Sequence, residues 1–507
     1  MLRLNLFQGK SMQHRNPRGS VTLRKSLLTA AAILALPLCA SAKDLAPTPE
    51  GAQKLSATLG LYLGKLTVGD APPVSVAVDG GHYTVAVDLA ALAAPLNGIG
   101  FSIDPAIVKY MLTEQDDGNW HVVSDGLPPI AIHSKQGTIA YDFSGYKYEG
   151  TFDPSFAMFK NVQGSLEKAT AEAHLPDADE AIAMGPLRIT QSGTPAPGGA
   201  ASVVAHEEVD DVSVDVSGTP GVKTDADAKP VHVSFRIGGG SADIGLDGAP
   251  MRKALDLWAF VVAHPSRAEI AANEPAFKSL LRALLPGDLK LVEKADLQKI
   301  AADTPQGLFG VADGKFAVAM GWTPGPKDSV EYQVATSGIA LPAGLAPPPM
   351  QDLTPTAFDF DIKASGFDLN AGAEEAIGDM HFAGDGPVIS EADGPKIGAK
   401  MKGSGPILVD LLPSHVMAPA IDLTIEGQAR FEGARPNGVL KVHMRNFDKT
   451  VAALKGLGQL ASPEMIGGLA MAKSLAKTES DGALTWVAEY GADGSIKVNG
   501  LPLGKAP

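Results

Sequence analysis

Apolar and polar residues alternate with a period of two along much of this chain, the pattern of strands with one buried face. Residues 74–78 and 84–87 alternate on either side of Gly80-Gly81 and predict a hairpin with a glycine turn. Residues 309–311 and 315–320 flank Asp313-Gly314 in the same way and predict a second hairpin. The cleanest strand is 358–364, with Phe358, Phe360 and Ile362 on one face and Asp359, Asp361 and Lys363 on the other. Residues 421–431 and 439–445 are expected to pair around Asn437-Gly438, and residues 484–489 with 495–498. Such alternation suits antiparallel sheets with one wet face.

Helical spacing is rarer and gathers in the middle of the chain. Residues 251–262 carry Leu255, Trp258, Val261 and Val262 on one side, and residues 275–285 carry Phe277, Leu280, Leu281 and Leu284 before Pro286-Gly287. Residues 291–302 read as a third helix. Toward the C-terminus, Asn446 is placed to cap a helix holding Val451, Leu454 and Leu457. Ser462-Pro463-Glu464 opens another, with proline at the first helical position. A helix over 51–63 precedes the first strand.

Three stretches read as loose or linking: 193–200 (GTPAPGGA), 220–230, and the proline-rich 341–350 (LPAGLAPPPM). They divide the chain into an N-terminal β-rich domain over 43–200, a central α+β domain over 201–350 with helices within 251–302, and a C-terminal β-rich domain over 351–507. The fold class expected is α+β: β-rich, with curved antiparallel sheets, helices packed on one side, and two related sheet-and-helix units.

Composition agrees with many short strands and turns, since the chain has 56 Gly and 38 Pro with 6% aromatics and 45% hydrophobic residues. Residues 1–42 form a distinct segment. Arg15, Arg18, Arg24 and Lys25 lead into the apolar run 27–38, which ends in Ala40-Ser41-Ala42. This is the layout of a secretory signal peptide, with cleavage expected after Ala42 and a periplasmic destination. The run is shorter than the roughly 18 apolar residues of a membrane span, so no integral span is expected after cleavage. Lipidation at Cys39 is disfavoured by Leu38 before it, where a small residue is usual. Cleavage removes six basic residues (Arg3, Lys10, Arg15, Arg18, Arg24, Lys25) and no acidic one. It leaves 36 basic against 57 acidic residues, a net charge of −21. That excess argues against nucleic acid as a partner. Cys39 is the only cysteine, so the mature chain has no disulfide, thiol nucleophile or cysteine-ligated metal.

Searching for catalytic chemistry turns up little. No serine has glycine both two residues before and two residues after it, the spacing of a nucleophile elbow. The glycine run 238–240 lacks the Lys-Ser/Thr of a phosphate loop. The ten histidines after residue 42 show no i, i+2 or i, i+4 pair for a metal. His206-Glu207-Glu208, followed by Asp210, Asp211 and Asp215, reads as the wet side of a strand. Asp177, Asp179 and Glu180 lack the rest of a calcium loop, and Asp225 and Asp227 fall in a loose stretch. Asp359 and Asp361 share a strand face, yet with Lys363 beside them they read as a charged exterior. Trp258 and Trp322 read as core, whereas Trp120 and Trp486 sit in strand-like surroundings. No catalytic, cofactor or metal residue is assigned, and no cofactor is expected.

Residues 357–369 (AFDFDIKASGFDL), 444–450 (MRNFDKT) and 493–504 (DGSIKVNGLPLG) resemble strands of a family of secreted alphaproteobacterial proteins defined by a domain of unknown function. That family is distantly similar to AsmA-type periplasmic proteins. The resemblance spans roughly 245–507. It implies long curled β-sheets and a link to lipid handling, and it carries no active site. The expected function is therefore a non-enzymatic periplasmic protein that binds a lipid or hydrophobic ligand in a β-sheet groove for envelope maintenance. The alternatives are a structural or assembly partner of envelope proteins, and a hydrolase with a carboxylate or Ser/His site not evident in the sequence.

Overall fold

The computed structural model describes residues 46–63, 72–176, 178–218, 231–403, 405–432, 435–458 and 461–505. Segment 1–42, expected to be a signal peptide, the loose stretch 220–230 and Asp177 lie outside the described residues.

Among the described residues the strands join into one hydrogen-bonded antiparallel sheet of 26 strands. Its N-terminal part runs as two ladders side by side. One passes from Val74–Asp79 through His82–Asp88, Ile107–Glu114, Trp120–Ser124, Lys147–Asp153, Met158–Leu166 and Leu187–Ala196 to Ala200–Val209. The other passes from Ser102–Ile103 through Ile130–Ser134, Gly137–Ser144, Lys168–Leu175 and Ala178–Met184 to Val212–Gly218. The chain crosses between ladders at Gly145-Tyr146, Glu167, Gly185-Pro186 and Asp210-Asp211. It is thus laid down as long strands broken along a common seam.

Local chemistry sets those breaks. Gly145 sits at φ +63°, a conformation costly for residues with a Cβ, and Pro186 has no N–H to offer a ladder. Hydrogen bonds from Glu167 N to Ser144 O (2.9 Å) and from Gly185 N to Asp211 O (2.7 Å) stitch neighbouring breaks together. The 19-residue strand Val231–Ala249 unites the two ladders. Its first half pairs with Val212–Gly218 and its second half with Ala200–Val209, and Gly238-Gly239 lie at the seam. From there the sheet continues through Leu289–Thr304, Gly307–Trp322, Asp328–Ser337, Ala357–Phe367, Ile407–Ala418, Ile421–Phe431, Asn437–Arg445 and Leu484–Tyr490.

The apolar parity changes at each crossing, as between Val209 and Val212 or Ile237 and Gly240. In an unbroken strand that change would carry the apolar set to the other face. At Leu289–Thr304 the kink restores it: Lys299 adopts φ +53°. A Cβ at Gly314 would lie 3.0 Å from Ile300 Cδ1 and 3.9 Å from Leu297 Cβ. Residues on both sides of that kink therefore share one surface.

The core lies at the N-terminal end of this surface. Helix Pro49–Leu63 buries Ala52, Leu55, Leu59 and Tyr62, at helical spacing, against Val85, Val87, Val108, Leu112, Trp120 and Phe152. Phe152 and Phe159 meet edge-on at 5.2 Å, and Tyr83 and Trp120 meet tilted at 6.0 Å. At the other end, Trp486 Nε1 donates to Ala472 O (2.7 Å) in helix Pro463–Leu475, and the ring lies 5.8 Å from Phe447 in helix Phe447–Gly456.

A row of helices stands along the strand ends. Met251–Ala263 meets the first helix where Trp258 Nε1 donates to Tyr62 O (2.8 Å), and Phe260 contacts Phe277 of Glu274–Ala283 at 5.7 Å. Arg282 pairs with Glu374 of Leu369–Asp379 at 2.9 Å, and Lys396 of Gly394–Lys402 pairs with Asp379 at 3.0 Å. The β-rich character is as expected. Helices laid along one side of the sheet are not, and two related units do not emerge from its continuous pairing.

Six local expectations need correction. Residues 291–302 form part of strand Leu289–Thr304 rather than a helix, held between two long partners. Asp313-Gly314 lies inside the continuous strand Gly307–Trp322; the chain turns instead at Pro305-Gln306, where Thr304 faces Gly307. Residues 193–196 are not a linker: Gly193 pairs with Val203 and the turn is Pro197–Gly199. Trp258 is no core residue, since it is 53% exposed and held by one hydrogen bond. Asn437-Gly438 also lie within a strand, although the partners around them are as expected. Asn446 precedes its helix in a left-handed conformation (φ +58°) without a side-chain cap, whereas Ser462 Oγ accepts from Met465 N at 3.2 Å as expected.

Candidate functional site

Strand register assigns each side chain to a face. One row runs Ala205, Ile244, Glu293, Val318, Tyr332, Ile362, Leu411, Gly427, Leu440 and Ala488, each opposite the next on the neighbouring strand. At the usual 4.7–4.9 Å between strands the row is roughly 40 Å long. A parallel row runs Val203, Leu246, Leu291, Met320, Val330, Ala364 and Val409. A third begins Ile189, Glu207, Ala242, Ala295, Phe316, Val334 and Phe360. Together they make one broad apolar face, continuous with the surface that carries helix Pro49–Leu63.

Cover is confined to the ends of this face. Between them its side chains are half-buried or exposed; Tyr332 is 40% exposed, Phe360 39% and Leu440 41%. An isolated exposed hydrophobic residue is ordinary, but contiguous rows of them mark an interaction surface.

The opposite face is charged and paired. Lys315 meets Asp296 (3.7 Å), Lys363 meets Glu331 (3.3 Å), Lys441 meets Glu426 (2.8 Å), and Arg188 meets Glu208 (3.7 Å). Such exposed pairs each contribute about 0–1 kcal/mol. His206 Nδ1 lies 2.7 Å from Asp243 and its Nε2 3.3 Å from Glu208. Those two hydrogen bonds, the Asp243 one first, raise the imidazole above its ordinary pKa.

Catalytic arrangements do not assemble among the described residues. No group of three or more His, Cys, Asp or Glu is placed to hold a metal. His121, His133 and His174 each meet a carboxylate, His415 and His443 each meet a threonine hydroxyl, and no histidine hydrogen-bonds a serine. Asp359 is spent within the sheet, accepting from His415 N at 2.8 Å where the register is interrupted. Beside it, burial first, and then Glu331 and Asp359, raise the Asp361 carboxyl. Tyr146, near the seam, is pushed up to about 12 by burial and stays protonated. A shallow depression of about 240 Å³ lies around Asp313, Lys315, Asp359 and His415. Another of about 620 Å³ runs between helix Pro49–Leu63 and Val76–Val78. Neither gathers a nucleophile with a base.

One residue departs from its expected role. In His206-Glu207-Glu208 the outer two face the charged side, but Glu207 points with Ala205 and Val209 onto the apolar face. Its alternation with Val203, Ala205 and Val209 hints at this, and its partners Ile189 and Ala242, distant in sequence, establish it. No family model, no curated protein and no solved structure matches this chain.

Proposed function

We propose that this protein is exported to the periplasm and binds a lipid or other hydrophobic ligand along the apolar face of its sheet, serving the envelope without catalysing a reaction. The observation that carries this reading is the row from Ala205 to Ala488, which lies between helices covering its two ends. Leaving such a surface in water is unfavourable by about 25 cal/mol per Å² relative to covering it, so a bound apolar ligand stabilises the fold as it binds. The signal-like segment 1–42 supports the compartment, and the resemblance of roughly residues 245–507 to secreted proteins distantly similar to the AsmA type supports the ligand class. An assembly role would use the same face for an apolar segment of another protein.

Native mass spectrometry of protein purified from its periplasmic fraction without detergent tests the reading. Adducts of lipid mass, recovered by solvent extraction and lost on mild delipidation, are the expected result. Protein that emerges ligand-free, and neither takes up a fluorescent fatty acid nor gains thermal stability from it, would overturn it.

A further inference from the structure

The apolar face carries an electrostatic feature that hydrophobic burial alone does not explain. Between the strand ends, from Leu187–Ala196 to Leu484–Tyr490, register places Glu207 and Glu293 as the charged side chains on this face. They stand on the two strands that flank Val231–Ala249, offset by two residues: Glu207 lies opposite Ala242, and Glu293 lies opposite Ile244. Their flanking partners on this face, Ile189 and Val318, bring no cation. The nearby charges of His206, Glu208, Asp243 and Lys294 belong to the opposite face. Neither carboxylate has a salt-bridge partner among the described residues, whereas charges on the other face are repeatedly paired. Burial, and then the charge of Glu293, hold the Glu207 carboxyl above its ordinary pKa. A second anion there makes the first harder to keep ionised.

Two unpaired carboxylates within an apolar surface complement a ligand of opposite charge. We propose that the occupant of this face is an amphiphile with a cationic head, ammonium or guanidinium, seated between Glu207 and Glu293 with its apolar body along the Val318–Tyr332–Ile362 row. This rests on the proposed hydrophobic-ligand function and adds the chemical class of the head. An anionic head would meet like charge at the same position.

Three probes that share a twelve-carbon tail test it: dodecylammonium, dodecyl sulfate and the uncharged dodecyl maltoside. Each is titrated below its micelle concentration into the full chain, at low salt, by isothermal calorimetry. The ammonium probe is expected to bind at least tenfold more tightly than the maltoside, and the sulfate more weakly than either. Glu207→Gln/Glu293→Gln is expected to bring the ammonium probe to the maltoside's affinity and to leave the maltoside's own affinity unchanged. The control Glu172→Gln/Glu489→Gln removes the same net charge away from the apolar face and should preserve the preference. Equal binding of the ammonium and maltoside probes, or a loss produced equally by the control pair, would overturn the cationic head while leaving the apolar face standing. Failure of all three probes, the uncharged one included, would overturn the hydrophobic-ligand reading as well. Should the double glutamine variant not fold, the order of the three probes on the unsubstituted chain still decides.

Discussion

Asp328→Ala is expected to lower the unfolding free energy by about 3 kcal/mol, because it takes a buried carboxylate from two part-buried backbone donors at once. Asp328 is fully buried at the start of its strand. Its Oδ1 accepts from Thr323 N (2.6 Å), and its Oδ2 accepts from Leu369 N at the first turn of helix Leu369–Asp379. That helix already uses Asp368 Oδ1 to cap Ala371 N at 2.8 Å, so the two carboxylates satisfy different orphan donors of one N-terminus. Around them, Trp322 Nε1 donates to Asn370 Oδ1 (3.1 Å), and Asn370 Nδ2 to Pro286 O (3.3 Å). The cluster ties two strand ends to the helical row. Alanine leaves both N–H groups without their carboxylate acceptor. Asp328→Asn keeps one acceptor oxygen and should lose less. Urea titration followed by tryptophan fluorescence measures both. A loss below about 1 kcal/mol for alanine would show that water or the backbone replaces the carboxylate.

Leu59→Ala is expected to cost about 2–5 kcal/mol, the usual range for a leucine truncated in a closed core. Leu59 is 1% exposed, one helical turn from Leu55, on the face that meets Val85, Val108 and Trp120. The helix covers that end of the apolar surface, with Leu255 of helix Met251–Ala263 packed against the same core, so a cavity beneath it also loosens its docking. An equivalent truncation in the middle of the face, Leu440→Ala, should cost well under half as much, because Leu440 is already 41% exposed. Similar losses at the two sites would mean that the middle of the face is covered in solution. Thermal melts of both variants supply the comparison.

Elements with local signals were legible in the sequence. Gly80-Gly81 marks a hairpin because a two-residue turn demands a left-handed backbone, and Gly80 adopts φ +59°. Residues 251–262 and 275–285 have the spacing of amphipathic helices, and those helices form. What was missed depended on partners far along the chain. Leu289–Thr304 is rich in Lys, Glu, Ala, Leu and Gln, residues that favour helix in isolation. Strands on both sides supply its backbone partners and override that preference. Asp313-Gly314 looks like a turn, yet its glycine answers to packing, since a Cβ there would press on Ile300 at 3.0 Å. The sequence alone leads only to a groove in a β-sheet, not to the place of the apolar face. Its rows cross ten strands, and register between distant strands is not written in any one of them. Glu207 shows the same gap: its neighbours in sequence suggest a wet strand face, and its parity within a long ladder places it on the dry one.

The central claim is that one face of this sheet holds a hydrophobic ligand in the cell. Tyr332 and Gln333 are adjacent in strand Asp328–Ser337 and point to opposite faces, the first opposite Val318 and Ile362 and the second opposite Ala317 and Asp361. A photoreactive benzoylphenylalanine placed at each position in turn, irradiated in intact cells and read by mass spectrometry of the purified chain, asks what touches each face. Adducts of lipid mass are expected at position 332 and none at 333. Equal labelling of the two positions, or adducts at 332 formed by protein alone, would contradict it.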